Sequence, residues 1–239
     1  MNLKITISYD GTNYQGSQKQ PNKKTIENIL LDVFKSINID SNIIFSGRTD
    51  KGVHATGQVF NIKVPSFWAN LFKLKTTINN KLPNDIKIIN VKNVDDNFHA
   101  RFNAKQRIYR YILIKQTTPF NAKYTLNINY VDKNILKKAI KKFEGTHNFE
   151  YFHKKGSDKI NLIKTISKTD FYEYKNYYIF KFKANSYLRS QIRLMVGFLL
   201  QISMNKHSIE DLKSQLNRKK FIKNYCVSPT GLYLSKVIY

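Results

Sequence analysis

The order of the predicted elements indicates an α+β fold in which a mixed, largely antiparallel sheet is flanked by helices. Two observations support this fold class. Segments with the two-residue alternation of strands occur in neighbouring pairs, and segments with helical periodicity lie between the pairs. Residues 165–174 and 177–184, for example, are alternating runs separated only by Lys175 and Asn176, which is typical of an antiparallel hairpin. A doubly wound parallel sheet would instead need a helix between successive strands.

The individual elements follow from local patterns along the chain. Strands are predicted at residues 3–9, 42–46, 58–64, 86–94, 106–114, 165–174, 177–184 and 232–239. The first helix begins after Thr25, because apolar residues then recur at helical spacing. Further helices are predicted from Ser66 through Ile78, from Asp132 to a stop at Gly145, over the apolar residues 188–202, and after Ser208.

The composition is that of a globular chain that can bury a sizeable core. Of its 239 residues 41% are hydrophobic, and no apolar run approaches the roughly 20 residues of a membrane span. The first residues alternate like a strand and lack the apolar centre of a secretory signal. Cys226 is the only cysteine, so the chain can form no internal disulfide and no cysteine-based metal site. We therefore expect a cytoplasmic protein without a membrane partner.

Patterns that bind metals or cofactors are lacking in the sequence. The five histidines do not have metal-ligand spacing, and neither a P-loop nor a G-x-G-x-x-G motif occurs. No G-x-S-x-G motif suggests an acyl-enzyme hydrolase either. We expect a protein that works with no metal and no cofactor.

The charge balance favours a polyanionic partner. The chain has 41 Lys and Arg against 16 Asp and Glu, which gives a net charge of +25. Such an excess attracts phosphate backbones by counterion release. Lysines can also reflect an AT-rich genome, but that bias does not favour arginine. Most of the arginines lie in the segments discussed below, at Arg48, Arg101, Arg107, Arg110, Arg189 and Arg193.

The decapeptide Ser46–Ala55, S-G-R-T-D-K-G-V-H-A, is the most informative segment. It places the carboxylate of Asp50 between Arg48 and Lys51, on a glycine-containing turn between two predicted strands, with His54 close behind. An isolated aspartate in a turn is usually stabilised only by local hydrogen bonds. In a strongly basic chain, this arrangement favours a carboxylate that acts on a polyanion.

Two further segments carry candidate site residues, and each has an alternative interpretation. Arg193 lies in an apolar helix; if it is buried it needs a carboxylate partner, for which Asp50 is sterically plausible. If it lies on one exposed stripe with Arg189, it meets solvent or phosphate instead. On the strand at residues 106–114, Arg107, Tyr109 and the following odd-numbered residues share one face, which suits RNA bases but also ordinary cross-strand packing.

Taken together, these segments resemble the tRNA pseudouridine synthase A family. The decapeptide is similar to the catalytic loop of that family, and Asp50 falls on its catalytic aspartate. Further similar blocks follow in the family's order and span nearly the whole chain. They lie at Tyr9–Gly16, Asn97–Ala104, Arg107–Tyr111, Gly145–Phe149, Ala184–Arg193 and Ser228–Leu234.

The resemblance implies conversion of uridine to pseudouridine on the 3′ side of the tRNA anticodon arm, without cofactor or metal. It also implies the pseudouridine synthase fold, built from two similar halves that we place at residues 1–104 and 105–239, and a homodimer that grips tRNA. The catalytic residues expected from it are Asp50, Tyr109 and Arg193. The residues expected to bind RNA are Arg48, Lys51, His54, Arg101, Arg107, Arg110 and Arg189.

The chain departs from the family pattern at two positions. Ser17 stands where the family usually has tryptophan, and Gln191 stands where it usually has methionine. Ser17 removes a large aromatic side chain and is expected to loosen packing near the site or to alter RNA contact. These departures support one alternative, a catalytically inactive RNA-binding paralogue, whereas the intact Asp50, Tyr109 and Arg193 argue against it.

Overall fold

The computed structural model describes residues 1–156 and 161–239 of the chain. Within these residues there are ten strands and five α-helices. The strands are β1 (Asn2–Tyr9), β2 (Ile44–Phe45), β3 (His54–Lys63), β4 (Ile86–Val94), β5 (Gln106–Ile114), β6 (Leu126–Asn127), β7 (Gly145–Asn148), β8 (Ile163–Tyr174), β9 (Tyr177–Ala184) and β10 (Leu232–Ile238). The helices are α1 (Ile26–Lys35), α2 (Leu71–Lys81), α3 (Lys133–Ile140), α4 (Gln191–Ser203) and α5 (Ile209–Leu216). The α+β prediction is confirmed.

The chain divides into two compact units. The first unit comprises Met1–Lys105 together with Tyr233–Tyr239, and the second unit comprises Gln106–Leu232. The last strand, β10, is therefore counted almost entirely with the first unit, although its sequence follows the second. Each unit contains strands and helices of its own.

The first unit is built on strands in the order β4-β1-β3-β10, and β2 pairs with Phe60 and Asn61 near the end of β3. The pairs β1–β3, β1–β4 and β2–β3 are antiparallel, whereas β10 runs parallel to β3. The alternate residues Leu3, Ile5 and Ile7 of β1 are fully buried. Phe34 of α1 packs edge-to-face on Phe60 of β3, which places α1 against this sheet.

The second unit is built on strands in the order β5-β9-β8-β7, with β6 paired to β5. All the main pairs are antiparallel, and only β5–β6 is parallel. As predicted, β8 and β9 form a hairpin, and Lys175, the first residue of its two-residue turn, has a positive φ of 52°. Helices α3 and α4 pack together on one face, over buried aromatic rings that include Phe143, Phe152 and Phe198.

Most predicted helix starts are confirmed by their capping bonds. The side chain of Thr25 accepts a hydrogen bond from Asn28 N at the start of α1, and Asp132 accepts from two backbone N–H groups at the start of α3. Ser208 forms a capping box with Asp211 at the start of α5.

Three predicted helices are wrong in their extent. The helix expected to run from Asp132 to a stop at Gly145 ends at Ile140 and is followed by the 3₁₀ turn Lys141–Phe143. The segment 66–78 is not one helix, because the 3₁₀ turn Ser66–Trp68 ends before Asn70, whose side chain accepts from Lys73 N and begins α2 anew. The apolar helix begins at Gln191 rather than residue 188, because Ser190 has a left-handed φ of 58° that a helix cannot include. Among the residues that the structure describes, none of the helices has the length and apolar character that crossing a membrane requires.

Candidate active site

Asp50 lies in the loop between β2 and β3 of the first unit. The two strands are antiparallel, with Phe45 paired to Phe60, so the loop leaves and re-enters the same sheet. At its start, Ser46 N donates to Val59 O at 2.8 Å and Ser46 Oγ donates to Gln58 Oε1 at 2.7 Å. Gln58, fully buried, in turn donates from Nε2 to Gly47 O at 2.9 Å. These bonds fix the first residues of the loop, directly after β2.

The residue before Asp50 is held by a second segment of the chain. Thr49 N donates to Ser17 Oγ at 2.9 Å, and Ser17 N donates to Thr49 O at 3.1 Å. The Thr49 hydroxyl also hydrogen-bonds to the hydroxyl of Tyr9 at 2.8 Å. Ser17 is fully buried, so both of its bonds are shielded from water. Ser17 therefore anchors the loop through Thr49, and an effect of the missing tryptophan on packing or on RNA contact stays a prediction.

Tyr9 stays neutral at physiological pH. Burial raises the pKa of Tyr9 to about 12, although hydrogen bonds from Thr49 and Gln58 oppose the rise. Because its hydroxyl keeps the proton, it can serve Thr49 as donor or acceptor.

Two glycines allow the close approach of backbones around Asp50. Gly16 has a φ of 104°, and a Cβ at this position would lie 2.8 Å from Thr49 O. Gly52 has a φ of 75°, and its N–H donates to Tyr14 O at 3.3 Å. Directly after Gly52, Val53 N donates to Asp50 O at 3.1 Å and closes a turn. The backbone of Asp50 is thus held by bonds on both sides.

His54 follows the loop and is buried rather than exposed. Its side chain is 1% exposed and stacks on Tyr233, with the ring centroids 4.8 Å apart. Nδ1 lies 3.1 Å from Gly11 N and 3.1 Å from Asp10 Oδ1. It accepts from Gly11 when unprotonated and donates to Asp10 when protonated. These contacts tie the end of the loop to residues 10–11, and the RNA contact of His54 stays a prediction.

The cations beside Asp50 point outward. Arg48 and Lys51 are exposed, whereas Asp50 is half-buried. Arg101, on another loop of the first unit, is also exposed, and its guanidinium lies 5.9 Å from the centre of the Phe102 ring. A carboxylate on a fixed backbone, flanked by exposed cations, can meet a phosphate-bearing substrate while keeping its own position.

In the second unit, the face of β5 with Arg107, Tyr109 and Tyr111 is largely buried. Tyr111 is fully buried and donates its hydroxyl to Ser228 O at 2.6 Å. Arg107 and Tyr109 are each 8% exposed; Arg107 donates to Asn185 O, and Tyr109 meets Tyr187 edge-to-face. This burial favours the packing interpretation for Tyr111. Arg110, on the opposite face, is exposed.

Arg193 lies near the start of α4 and is half-buried. Its Nε donates to Val227 O at 2.7 Å. Arg189 is exposed and precedes the helix, so it does not share a helical stripe with Arg193. The pairing of Arg193 with Asp50 concerns residues of different units and stays a prediction.

The second departure from the family pattern is also accommodated by hydrogen bonds. Gln191 is 1% exposed, and its Oε1 accepts from Leu188 N at 2.8 Å. Its amide nitrogen lies 3.7 Å from Met195 Sδ. Its carbonyl oxygen therefore satisfies a donor at the start of α4, where Ser190 makes no side-chain capping bond.

Sequence reasoning missed the residues that support the loop. Tyr9, Ser17 and Gln58 each bond to the Asp50 loop, yet none of them was predicted to belong to the site. The one sequence feature that points to any of these three residues is Ser17 itself, which departs from the family pattern, but that departure does not identify Thr49 as its hydrogen-bond partner.

Comparisons with known proteins show which family the chain resembles. A family model described as tRNA pseudouridine synthase matches residues 5–103 and 139–239. The chain is 40% identical to tRNA pseudouridine synthase A of Helicobacter hepaticus, over 99% of this chain and 98% of that protein. It is 36% identical to the protein of the same name from Campylobacter jejuni over the full length of both, and 38% identical to that of Phytoplasma mali over 100% and 98%. The resemblance drawn from the sequence motifs is confirmed, and this chain belongs to the tRNA pseudouridine synthase family.

Proposed function

We propose that this protein isomerises uridine to pseudouridine in tRNA, with Asp50 as the catalytic residue. The observation that carries the proposal is the Asp50 loop, whose backbone is fixed by Ser17, Gly16 and Gln58. Asp50 itself is half-buried and lies in the sequence between the exposed Arg48 and Lys51. Membership of the tRNA pseudouridine synthase family supports both the reaction and the tRNA substrate.

The reaction is an isomerisation and consumes no second substrate. The bond between uracil N1 and ribose C1′ breaks, the uracil turns, and a bond forms between C5 and C1′. C5 loses its proton and N1 gains one, so that the product is an isomer of the substrate. Asp50 can assist by attacking C1′, as in retaining glycosidases, or by removing the proton on C2′ to give a glycal. Both routes use one carboxylate.

The other predicted site residues have roles in this scheme that remain to be tested. The target uridine is stacked in its RNA arm and must leave the stack before the carboxylate can reach its sugar. Arg48 is exposed and two residues from Asp50, so it is suited to fill the space that the base leaves. Tyr109 is proposed to stack on the uracil, and Arg193 is proposed to form an ion pair with Asp50.

We infer that the substrate uridines lie on the 3′ side of the anticodon arm, that the protein acts in the cytoplasm and that it works as a homodimer. A chain of 28.1 kDa is small beside a tRNA, and two copies could contact its elbow and anticodon arm at once. Light scattering of the free protein tests the dimer, and a monomer at micromolar concentration would contradict it.

The decisive experiment compares two Asp→Asn variants of nearly equal size. Asp50→Asn removes the catalytic charge and should abolish release of tritium from C5-labelled uridine in an unmodified tRNA transcript. Binding of the tRNA should be largely retained. Asp32→Asn, on the exposed side of α1, changes the same charge and should keep wild-type activity. Substantial tritium release by the Asp50 variant would refute the assignment. No release by the wild-type protein, with binding retained, would favour the inactive paralogue.

A further inference from the structure

The sheet of the second unit has one face covered by helices and one face rich in cations. On the covered face, Phe171, Phe180 and Phe182 are buried, and Lys133 of α3 pairs with Glu173. The opposite face presents four cations on three adjacent strands, which we call the cationic ladder. Its members are Arg110 on β5, Lys181 and Lys183 on β9, and Lys168 on β8.

The register places like charges directly opposite one another. Arg110 pairs with Lys181 across β5–β9, and Lys183 pairs with Lys168 across β9–β8. Opposed like charges on neighbouring strands destabilise a sheet. Of the residues on these three strands, Asp170 is the one carboxylate on this face. Asp170 lies opposite Lys181 in the strand register. Its Oδ1 also lies 3.8 Å from Nζ of Lys141, a residue that is not on this face. The folded protein thus bears a repulsion that its own side chains only partly offset.

A β-bulge creates one of these oppositions. The register of β8 shifts between Ile166 and Lys168, so that Ile166 is buried on the helix-covered face while Lys168 lies on the open face. The inserted residue, Ser167, is held by hydrogen bonds to Lys183 O and from Gln106 Nε2, both at 3.1 Å. Without the bulge, the two-residue alternation would point residue 168 to the covered side.

We propose that the cationic ladder is a binding surface for the phosphate backbone of the RNA substrate. Strand spacing of about 4.8 Å and a two-residue step of about 6.7 Å place the four cations in a compact patch. Arg110 and Lys168 are exposed, while Lys181 and Lys183 are half-buried, so the long side chains extend from a firm sheet. Lysine acts as a point charge that contacts phosphate without reading a base, so the ladder positions the RNA and contributes affinity without sequence selectivity. Bound phosphate also removes the repulsion within the ladder.

The test uses two double variants with the same change in net charge. Lys168→Gln/Lys183→Gln removes one opposed pair of the ladder. Lys137→Gln/Lys138→Gln removes two exposed lysines from α3, which packs on the other face. Binding of unmodified tRNA is titrated at several salt concentrations. Each lost phosphate contact lowers the log–log salt slope by about 0.7–0.9, so the ladder variant should lose about 1.4–1.8 in slope. At 0.1 M salt its affinity should fall roughly 25- to 60-fold. The α3 variant should keep the wild-type slope. Equal losses in both variants, or no loss in either, would overturn the proposal.

Two further measurements separate a binding role from damage to the fold. The melting temperature of the free ladder variant should rise by about 1–3 °C, because the Lys168–Lys183 repulsion is gone. Lys168→Arg/Lys183→Arg keeps both charges and should retain the wild-type salt slope. If the arginine pair weakens binding as much as the glutamine pair, phosphate contact is not the role of these lysines and the proposal fails.

The inference rests on the proposed function, because it takes the polyanion to be the tRNA substrate, but the two can fail separately. If the wild-type protein forms pseudouridine while the ladder variant keeps the full salt slope, only the ladder proposal fails. If the wild-type protein forms no pseudouridine but the ladder variant loses tRNA affinity as described, the binding surface stands and the catalytic proposal falls.

Discussion

Ser17→Ala is the substitution that most directly tests how the Asp50 loop is held. The change removes Ser17 Oγ, which accepts the hydrogen bond from Thr49 N at 2.9 Å. The backbone bond from Ser17 N to Thr49 O does not involve the side chain and remains. Thr49 is only 6% exposed, so water has little access to the N–H that loses its acceptor.

The expected cost is that of an unsatisfied buried donor. Leaving such a group without an acceptor costs about 1–3 kcal/mol. For a chain of this size, each kcal/mol lowers the melting temperature by about 2–4 °C, which gives a decrease of about 2–12 °C. Urea unfolding followed by circular dichroism measures the same loss as a lower midpoint with an unchanged slope.

The effect on catalysis should differ from the effect on binding. Thr49 immediately precedes Asp50, so a loosened peptide displaces the carboxylate, and a displacement of about 1 Å can reduce kcat by roughly a hundredfold. Affinity for tRNA should not change, because Ser17 is fully buried and contacts no solvent.

A second serine of the first unit provides the control. Ser36, at the end of α1, is exposed and donates from Oγ to Val33 O. Ser36→Ala leaves only an acceptor that water can reach, so its stability should stay within about 0.5 kcal/mol of wild type. If Ser17→Ala proves as stable and as active as Ser36→Ala, the proposed role of Ser17 in anchoring the loop is refuted.

Three other predictions concern the same site. Gly16→Ala should destabilise the protein and reduce activity, because its φ of 104° and the 2.8 Å approach of Thr49 O both oppose a Cβ. Gly156→Ala should be neutral, because among the described residues no atom lies within 4 Å of the added carbon; equal melting temperatures of the two variants would contradict this. The pKa of Tyr9 is raised from 10.0 to about 12, so the protonated hydroxyl is favoured in the folded state. The contribution of Tyr9 to the free energy of unfolding should therefore be complete below pH 10 and be lost as the pH rises from about 10 to 12. In urea unfolding, a Tyr9→Phe variant should lack this part of the pH dependence. Arg193→Met should lose pseudouridine formation. If Arg193 pairs with Asp50, the stability losses of Arg193→Met and Asp50→Asn, measured by urea unfolding, should not add in the double variant; additive losses would show that the two residues act independently.

Several features of the fold could be predicted because they are written in local patterns. Strands β4 and β5 begin and end at the predicted residues, since alternation of apolar and polar side chains repeats every two residues. The starts of α1, α3 and α5 were predicted because the capping side chain lies within three residues of the N–H groups it serves. The break in the segment 66–78 was missed because several residues there could cap a helix, and local sequence does not choose among them.

In the candidate site, too, local features could be predicted and contacts between distant residues could not. The decapeptide around Asp50 could be recognised because its cations, glycines and carboxylate are contiguous. The anchor at Ser17 could not, because its partner Thr49 is 32 residues away and a hydrogen bond across that distance leaves no periodic trace. The two-residue alternation of β5 also could not show which of its faces is buried, since both faces carry apolar and basic residues.

By itself, the sequence determined the α+β class, the hairpin of β8 and β9, the family and the position of Asp50, because each depends on residues close together in the chain. The tertiary structure alone decided three other features. Strand β10 runs parallel to β3 in the first unit, with Leu234 opposite Ala55, although the chain passes through the whole second unit between them. The bulge at Ser167 turns Lys168 toward Lys183, and buried Ser17 supports the loop of Asp50. These contacts form only when distant segments pack together, since the free energy of burying apolar surface, not local propensity, selects which segments meet.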